Sequence, residues 1–213
     1  MSFILKSKEP HCLSELNAVP TNTYDDLKGD CQKETRALLH LDQKGLCAYC
    51  QRKFISNVFI EHWIPQSASP ELQLKYSNYL GVCSGKLYIN ENEGTFNVFC
   101  SVSKGSRTIT FNPLDESHFE TLSYNEANQI ASSSSKIDSD LNDLLNLNFN
   151  ILCKLRQDSF ERYLKNILQV ARSMKLEKLE VLQKAKADQS KDPNEFVHYT
   201  VYRLNQLIDL HSS

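Results

Sequence analysis

The sequence predicts an α+β protein, with short strands around a cysteine-rich segment and helices following it. Three observations carry this. Phe160, Tyr163, Leu164, Ile167, Leu168, Ala171 and Met174 recur at helical spacing, and Leu179 and Leu182 extend the same face. The segments 53–65 and 86–99 alternate weakly about turn residues, Ser56-Asn57 in one and Asn90–Gly94 in the other, as hairpins do. Cys47 and Cys50 form a Cys-x-x-Cys turn just ahead of the first of these segments.

Taken in order, residues 1–29 read as irregular, with turn signals at Glu9-Pro10, at Pro20 and at Lys28-Gly29. Residues 31–44 read as a helix capped by Asp30. Thr35, Leu38, Leu39 and Leu41 form its face, and Gly45 stands at the position after its end. The hairpin over 53–65 ends its second strand at Glu61–His62, because Pro65 cannot continue a ladder. Residues 66–76 suggest a loop with one or two helical turns. Residues 119–137 look loop-like, with the serine run 132–135 as a linker. From Ser139 onward the pattern is helical. Asp192-Pro193-Asn194-Glu195 marks a last helix start, with Asp192 as N-cap and Pro193 in the first turn. This divides the chain into an N-terminal segment 1–44, a core 45–118, and a linker with a helical region 119–213.

A net charge of −2 gives no global sign of nucleic-acid binding, so any such contact must be local. Residues 151–187 carry nine Lys/Arg against four acids. Arg156, Arg162, Lys165, Arg172 and Lys175 there are either phosphate contacts or the wet flank of an apolar docking face. No window approaches a membrane span, and the opening residues do not read as a signal peptide. The expectation is a cytoplasmic protein with no membrane partner, where a Cys-x-x-Cys more often binds metal than forms a disulfide.

Cys47 and Cys50 supply half of a tetrahedral zinc site. Cys83 and Cys100, each near a turn or strand end, are the obvious second half. Cys12, Cys31 and Cys153 stand apart, and Cys31 and Cys153 read as small core hydrophobes. His11 is a weak ligand candidate. Trp63, Tyr76 and Tyr79 read as packing residues.

The ordered set is Cys47-x-x-Cys50, Glu61-His62-x-x-Pro65, Asn78, Cys83, and Cys100 followed by Lys104. This set resembles the zinc-containing HNH endonucleases. The stretches LLHLDQKGLCAYC, IEHWIPQS, YSNYLGVCSG, FCSVSKG, FNPLDESHFETLSYN and LNLNFNILCKLR are similar to one branch, the PtuB-like subunits of Septu-type and retron-associated antiphage systems. The resemblance spans roughly residues 30–160. It implies a small ββα-metal core with helical additions on both sides, cutting phosphodiester bonds of nucleic acid, DNA more than RNA. His62 becomes the general base toward water. Glu61 becomes a ligand of a catalytic Mg²⁺ or Mn²⁺ that clamps the phosphate. Asn78 fixes the loop carrying His62, and Lys104 and Arg107 contact nucleic acid. Cys47, Cys50, Cys83 and Cys100 hold a structural zinc. The implied partners are an ABC/SMC-like (PtuA-like) ATPase subunit and a retron reverse transcriptase with its RNA–DNA product. One position departs from the pattern. Ser101 stands where the family places a second metal ligand, and Asp115, His118 and Asn97 are the groups that could replace it.

Overall fold

The computed structural model describes residues 3–55, 57–90 and 95–212. The architecture is α+β: helices with three separate two-stranded antiparallel ladders. Among the described residues, no helix is long and apolar enough to cross a membrane.

The N-terminal segment is more ordered than its turn signals suggest. Helix α1 (His11–Ala18) follows Pro10, and α2 (Gly29–Asp42) follows a 3₁₀ turn at Tyr24–Asp26. Cys12 and Cys31 form a disulfide between these two helices, which corrects the reading of both as unpaired. Asp30 lies inside the first turn of α2, and Lys28 is the N-cap. Thr35 and Leu39 are the buried residues of its face, whereas Leu41 is exposed. After α2, Lys44 and Gly45 both take left-handed backbone, and the chain turns into Leu46 and Cys47.

The expected hairpin over 53–65 does not form. Lys53 makes a single bridge to Leu46, and its turn residue Ser56 lies outside the described residues. Strand β1 (Phe59–His62) pairs instead with β2 (Tyr79–Val82), in the register Glu61 opposite Leu80 and His62 opposite Tyr79. The physical reason is burial. Every residue of β2 is buried, so it offers an apolar partner, whereas Arg52 and Lys53 are polar and Ile55 is left exposed. Two 3₁₀ turns, Pro70–Leu72 and Tyr76–Asn78, fill the connection.

Gly81 of β2 is required by close approach. A Cβ there would lie 2.8 Å from Val58 Cγ1 and 3.1 Å from Gln43 Oε1. The buried Gln43 side chain accepts from Gly81 N (2.6 Å) and donates to Gly81 O (2.7 Å), clamping the end of α2 onto the strand.

Strands β3 (Lys86–Asn90) and β4 (Thr95–Val98) pair as the alternation suggests; the turn residues 91–94 lie outside the described ones. Helix α3 (Cys100–Lys104) follows at once. The segment expected as loop and linker is structured. It holds α4 (Glu116–Glu120), the ladder of β5 (Leu122–Tyr124) with β6 (Ile130–Ser132), and α5 (Ser135–Ser139). The serine run is folded because Thr121 Oγ1 and Ser132 Oγ hydrogen-bond at 2.7 Å, and the Asp138 carboxylate accepts from Ser132 N at 2.8 Å.

The C-terminal region is three helices: α6 (Asn150–Met174), α7 (Lys178–Asp188) and α8 (Val197–Ser212). The apolar face of α6 stops at Met174, where Lys175 turns left-handed, and Leu182 is buried on the separate α7. The last helix starts at Val197, not Pro193, because Phe196 adopts a positive φ of 55° and breaks the helical path. One apolar core runs from Cys47–Cys50 through Phe99, Phe111 and Ile130 to Leu182, Tyr199 and Leu204, so the core does not break at 118/119. A second, smaller cluster joins Leu13, Leu27 and Leu39 to Tyr76 and Tyr79.

Candidate metal centre and acid–histidine cleft

The cysteine centre is assembled from three turns. Gln51 is left-handed, which closes the first knuckle. Gln51 N donates to Cys47 O (3.0 Å), and Cys47 N donates to Arg52 O (2.9 Å). The second knuckle is Cys83-Ser84-Gly85, at the end of β2. Gly85 has φ +65°, and any Cβ on it would meet Phe99 O at 2.6 Å. Phe99 N donates to Gly85 O (2.9 Å), which sets Cys100 beside Cys83 at the start of α3.

The four sulfurs of Cys47, Cys50, Cys83 and Cys100 lie within 4.8 Å of one another, the one such group of three or more His, Cys, Asp or Glu among the described residues. Cys47 and Cys100 are 3.9 Å apart, and Cys50 and Cys83 are 3.7 Å apart. Zn–S bonds of about 2.3 Å in a tetrahedron give sulfur separations of about 3.8 Å. The geometry therefore suits a metal ion of this kind. Burial pushes the Cys50 and Cys100 thiols up. Burial pushes on Cys47 as well, but hydrogen bonds from the Cys100, Cys50 and Cys83 thiols outweigh it and bring Cys47 down. Cys83 N also donates to Cys47 Sγ at 3.4 Å. An anionic sulfur is thus accommodated here, as a thiolate ligand requires.

Two elements carry this centre to the acid–histidine pair. Strand β2 leaves the Asn78 turn and ends at Val82, next to Cys83, and α3 begins with Cys100 and ends with Lys104. Successive strand residues face opposite sides. Glu61 accordingly turns toward α3 and His62 toward the N-terminal segment. At the strand end both reach one open cleft of about 410 Å³, lined also by Pro65, Gln66, Ser67, Lys104, Gly105 and Ser106.

His62 is buried and packs edge-on against two tyrosines, Tyr24 (4.7 Å) and Tyr79 (5.0 Å between ring centres). Its Nε2 lies 2.9 Å from Gln73 O. A carbonyl only accepts, so Nε2 carries the proton and Nδ1 keeps its lone pair. Nδ1 sits 3.3 Å from the Gln66 side-chain amide on the cleft wall. Burial holds the His62 pKa below its ordinary value. The Gln73 carbonyl opposes that shift, and the Lys104 charge adds to it. Gln66 Nε2 is a donor, so it shares that Nδ1 lone pair over a long contact; a neutral imidazole of this tautomer can accept a proton from a bound water once the amide moves aside.

Asn78 is buried and grips the loop after His62. Its Oδ1 accepts from Ile64 N (2.9 Å) and its Nδ2 donates to Ile64 O (3.0 Å). Trp63 packs on the core and donates from Nε1 to Phe111 O (2.9 Å).

Lys104 is 1% exposed and donates to Glu61 Oε1 (2.7 Å) and to His62 O (3.1 Å). Its ammonium neutralises Glu61, which corrects the expectation of a free phosphate contact. Burial nonetheless raises the Glu61 pKa, with Lys104 opposing. Arg107 is exposed and folds back onto the carbonyls of Ser103 and Lys104 at the end of α3.

Ser101 does not line the cleft, and neither do Asp115, His118 or Asn97. Asp115 caps α4 through Ser117 N (3.0 Å), and His118 Nδ1 accepts from Asn112 N (2.9 Å). Arg156 is buried and donates to the carbonyls of Asn128 and Leu147, so it is a core residue and not a phosphate contact. Arg162, Lys165, Arg172 and Lys175 are exposed.

Tyr24, Gln66 and Gln73 escape sequence reading because they fit no spacing rule. The one local hint is Gln66, one residue past the Pro65 that ends the acid–histidine segment. A scan against protein-family models finds no match to this chain, and no curated protein matches it.

Proposed function

We propose that this chain is an HNH-type endonuclease with a ββα-metal core, a structural zinc at its four cysteines and a catalytic Mg²⁺ or Mn²⁺ at Glu61. The observation that supports this most is the shared cleft, where His62, with Nε2 on the Gln73 carbonyl and Nδ1 toward Gln66, stands beside a carboxylate at one strand end. Ions such as Mg²⁺ use one or two carboxylates and complete their shell with water and substrate phosphate. Glu61, in a cleft whose wall also includes Gln66, Ser67 and Ser106, fits that demand. When bound, the ion supplies charge to the phosphate and the leaving oxygen. His62 Nδ1 takes the proton of the attacking water. The Gln73 carbonyl holds the ring, and Asn78 holds the loop. We further propose DNA as the preferred substrate and antiphage defence as the setting, under control of an ABC/SMC-like ATPase and, in a retron setting, beside its reverse transcriptase.

The test incubates the zinc-loaded protein, alone and with that ATPase, with DNA and with total RNA in Mg²⁺. The expected result is DNA cleavage that His62→Ala lowers by about 10²–10⁴-fold. RNA cleavage lost in the same variant would move the substrate to RNA and keep the chemistry. Cleavage unchanged in His62→Ala removes His62 from the mechanism.

A second reading is a non-catalytic zinc adaptor tethering the ATPase to nucleic acid. Its support is the ion pair that occupies Glu61 and the displacement of Ser101 from the cleft. It expects Cys47→Ala to abolish function while His62→Ala and Mg²⁺ removal leave it intact.

A further inference from the structure

We infer that Lys104 reserves one oxygen of Glu61, so that a divalent ion enters the cleft only together with the phosphate of the strand to be cut. The inference rests on the endonuclease reading above.

The Lys104 ammonium sits 2.7 Å from Glu61 Oε1 and 3.1 Å from His62 O. The side chain is 1% exposed, so the ammonium cannot swing into solvent while α3 stays packed. The Glu61 side chain is 15% exposed and lines the cleft, and Lys104 engages one of its two oxygens, Oε1. Pro65, Gln66, Ser67, Gly105 and Ser106 add no charge to the wall. The charges of Glu61 and Lys104 cancel.

A lone dication arriving here meets one carboxylate oxygen and a fixed cation close behind it. Like charges in a partly desolvated site repel more strongly than in water. A phosphodiester changes the balance. It brings an anionic oxygen into the same space and supplies the second hard ligand that the protein lacks. Metal and nucleic acid therefore bind synergistically, and each strengthens the other by the same factor. Lys104 acts as a positioning residue, holding Glu61 in place and keeping the empty cleft from collecting ions.

The experiment measures Mn²⁺ binding to the zinc-loaded protein by electron paramagnetic resonance. It uses Mn²⁺ alone, Mn²⁺ with a short DNA duplex, and Mn²⁺ with an RNA hairpin, both with phosphorothioate linkages. Wild-type protein should bind Mn²⁺ at least ~10-fold more tightly with one of the nucleic acids than without. Lys104→Met and Lys104→Gln should each bind Mn²⁺ without nucleic acid at least ~10-fold more tightly than wild type, and adding Glu61→Gln should remove that gain. Mn²⁺ bound equally well by free and nucleic-acid-bound wild type overturns the inference and leaves the endonuclease reading standing. No Mn²⁺ sensitive to Glu61→Gln in any arm overturns both. If neither Lys104 variant folds, the wild-type comparison decides alone.

Discussion

Gln51 holds the first turn of the last helix. Its carbonyl accepts from Phe196 N and its side-chain Oε1 accepts from His198 N, both at 2.9 Å. The residue that closes the cysteine knuckle thus also caps α8, from 147 positions away in the chain. Helix starts leave N–H groups without intrahelical partners, and capping them is worth about 0.5–2 kcal/mol. Gln51→Ala keeps the knuckle backbone but removes the cap on His198 N. Urea unfolding should show a loss of about 1–2 kcal/mol with the same zinc content as wild type. No change in stability would mean that the side chain is not the cap.

If the four cysteines hold zinc as proposed, removing it should reach further than removing the cap. The cysteine sulfurs are part of the main apolar core, beside Phe99 and Tyr199. Binding energy at a structural zinc is folding energy, about 10–16 kcal/mol in small zinc modules. Cys50→Ser should lower bound zinc from about one equivalent to well below half of that, measured by elemental analysis. Near-ultraviolet circular dichroism should lose its tertiary signal with it. Full metal content in that variant would exclude Cys50 as a ligand.

The Asn78 side chain accepts and donates to the two backbone groups of one residue, Ile64, which is a bond pattern that only an amide satisfies. Asn78→Asp keeps the acceptor for Ile64 N but sets a carboxylate against Ile64 O. Asn78→Ala leaves both groups unpaired. We expect losses of about 1–3 kcal/mol in either variant. Under the endonuclease reading, cleavage falls in both while zinc content holds, because β2 and Cys83 still pair with the core. A chevron or melt that separates the lost stability from lost activity at low temperature checks this.

Part of this fold is legible in sequence because the forces involved are local. Metal-ligand spacing drew attention to Cys47 and Cys50. The 3.6-residue period located α6, and alternation located β3 with β4. What stayed hidden is non-local. The partner of β1 was chosen by burial of Tyr79–Val82 across a long connection, not by the nearer turn. Gln43, Gln51, Gln66 and Gln73 serve as clamps, yet a glutamine in sequence looks like solvent-facing surface. The ladder of β5 with β6 is short and polar at its ends, so serine and asparagine there read as a linker. Lys104 is the sharpest case. The family resemblance implies a phosphate contact for it, whereas its 1% exposure and its 2.7 Å bond to Glu61 Oε1 show it answering Glu61.

Acid should weaken the protein through His198. This histidine is partly buried on α8, between Phe119 and Tyr124, and its Nδ1 lies 3.3 Å from Tyr124 Oη. Burial lowers its pKa to about 4, from 6.5 in the unfolded chain, with the Phe119 backbone opposing. The unfolded state therefore takes up a proton as pH falls below 6.5, and the folded state does so only near 4. The stabilisation is complete above pH 6.5 and is lost progressively down to about 4, reaching about 3 kcal/mol from a depression of this size. His62, also lowered by burial, acts with the same sign. Glu61, whose pKa is raised, acts with the opposite sign. These contributions are shared by a His198→Phe variant, so the difference between the two proteins isolates His198. Urea unfolding at pH 7 and at pH 5 should show wild type losing more stability than the variant, by about 2 kcal/mol. Equal losses would mean that His198 titrates alike in both states, and that its burial imposes no charge penalty.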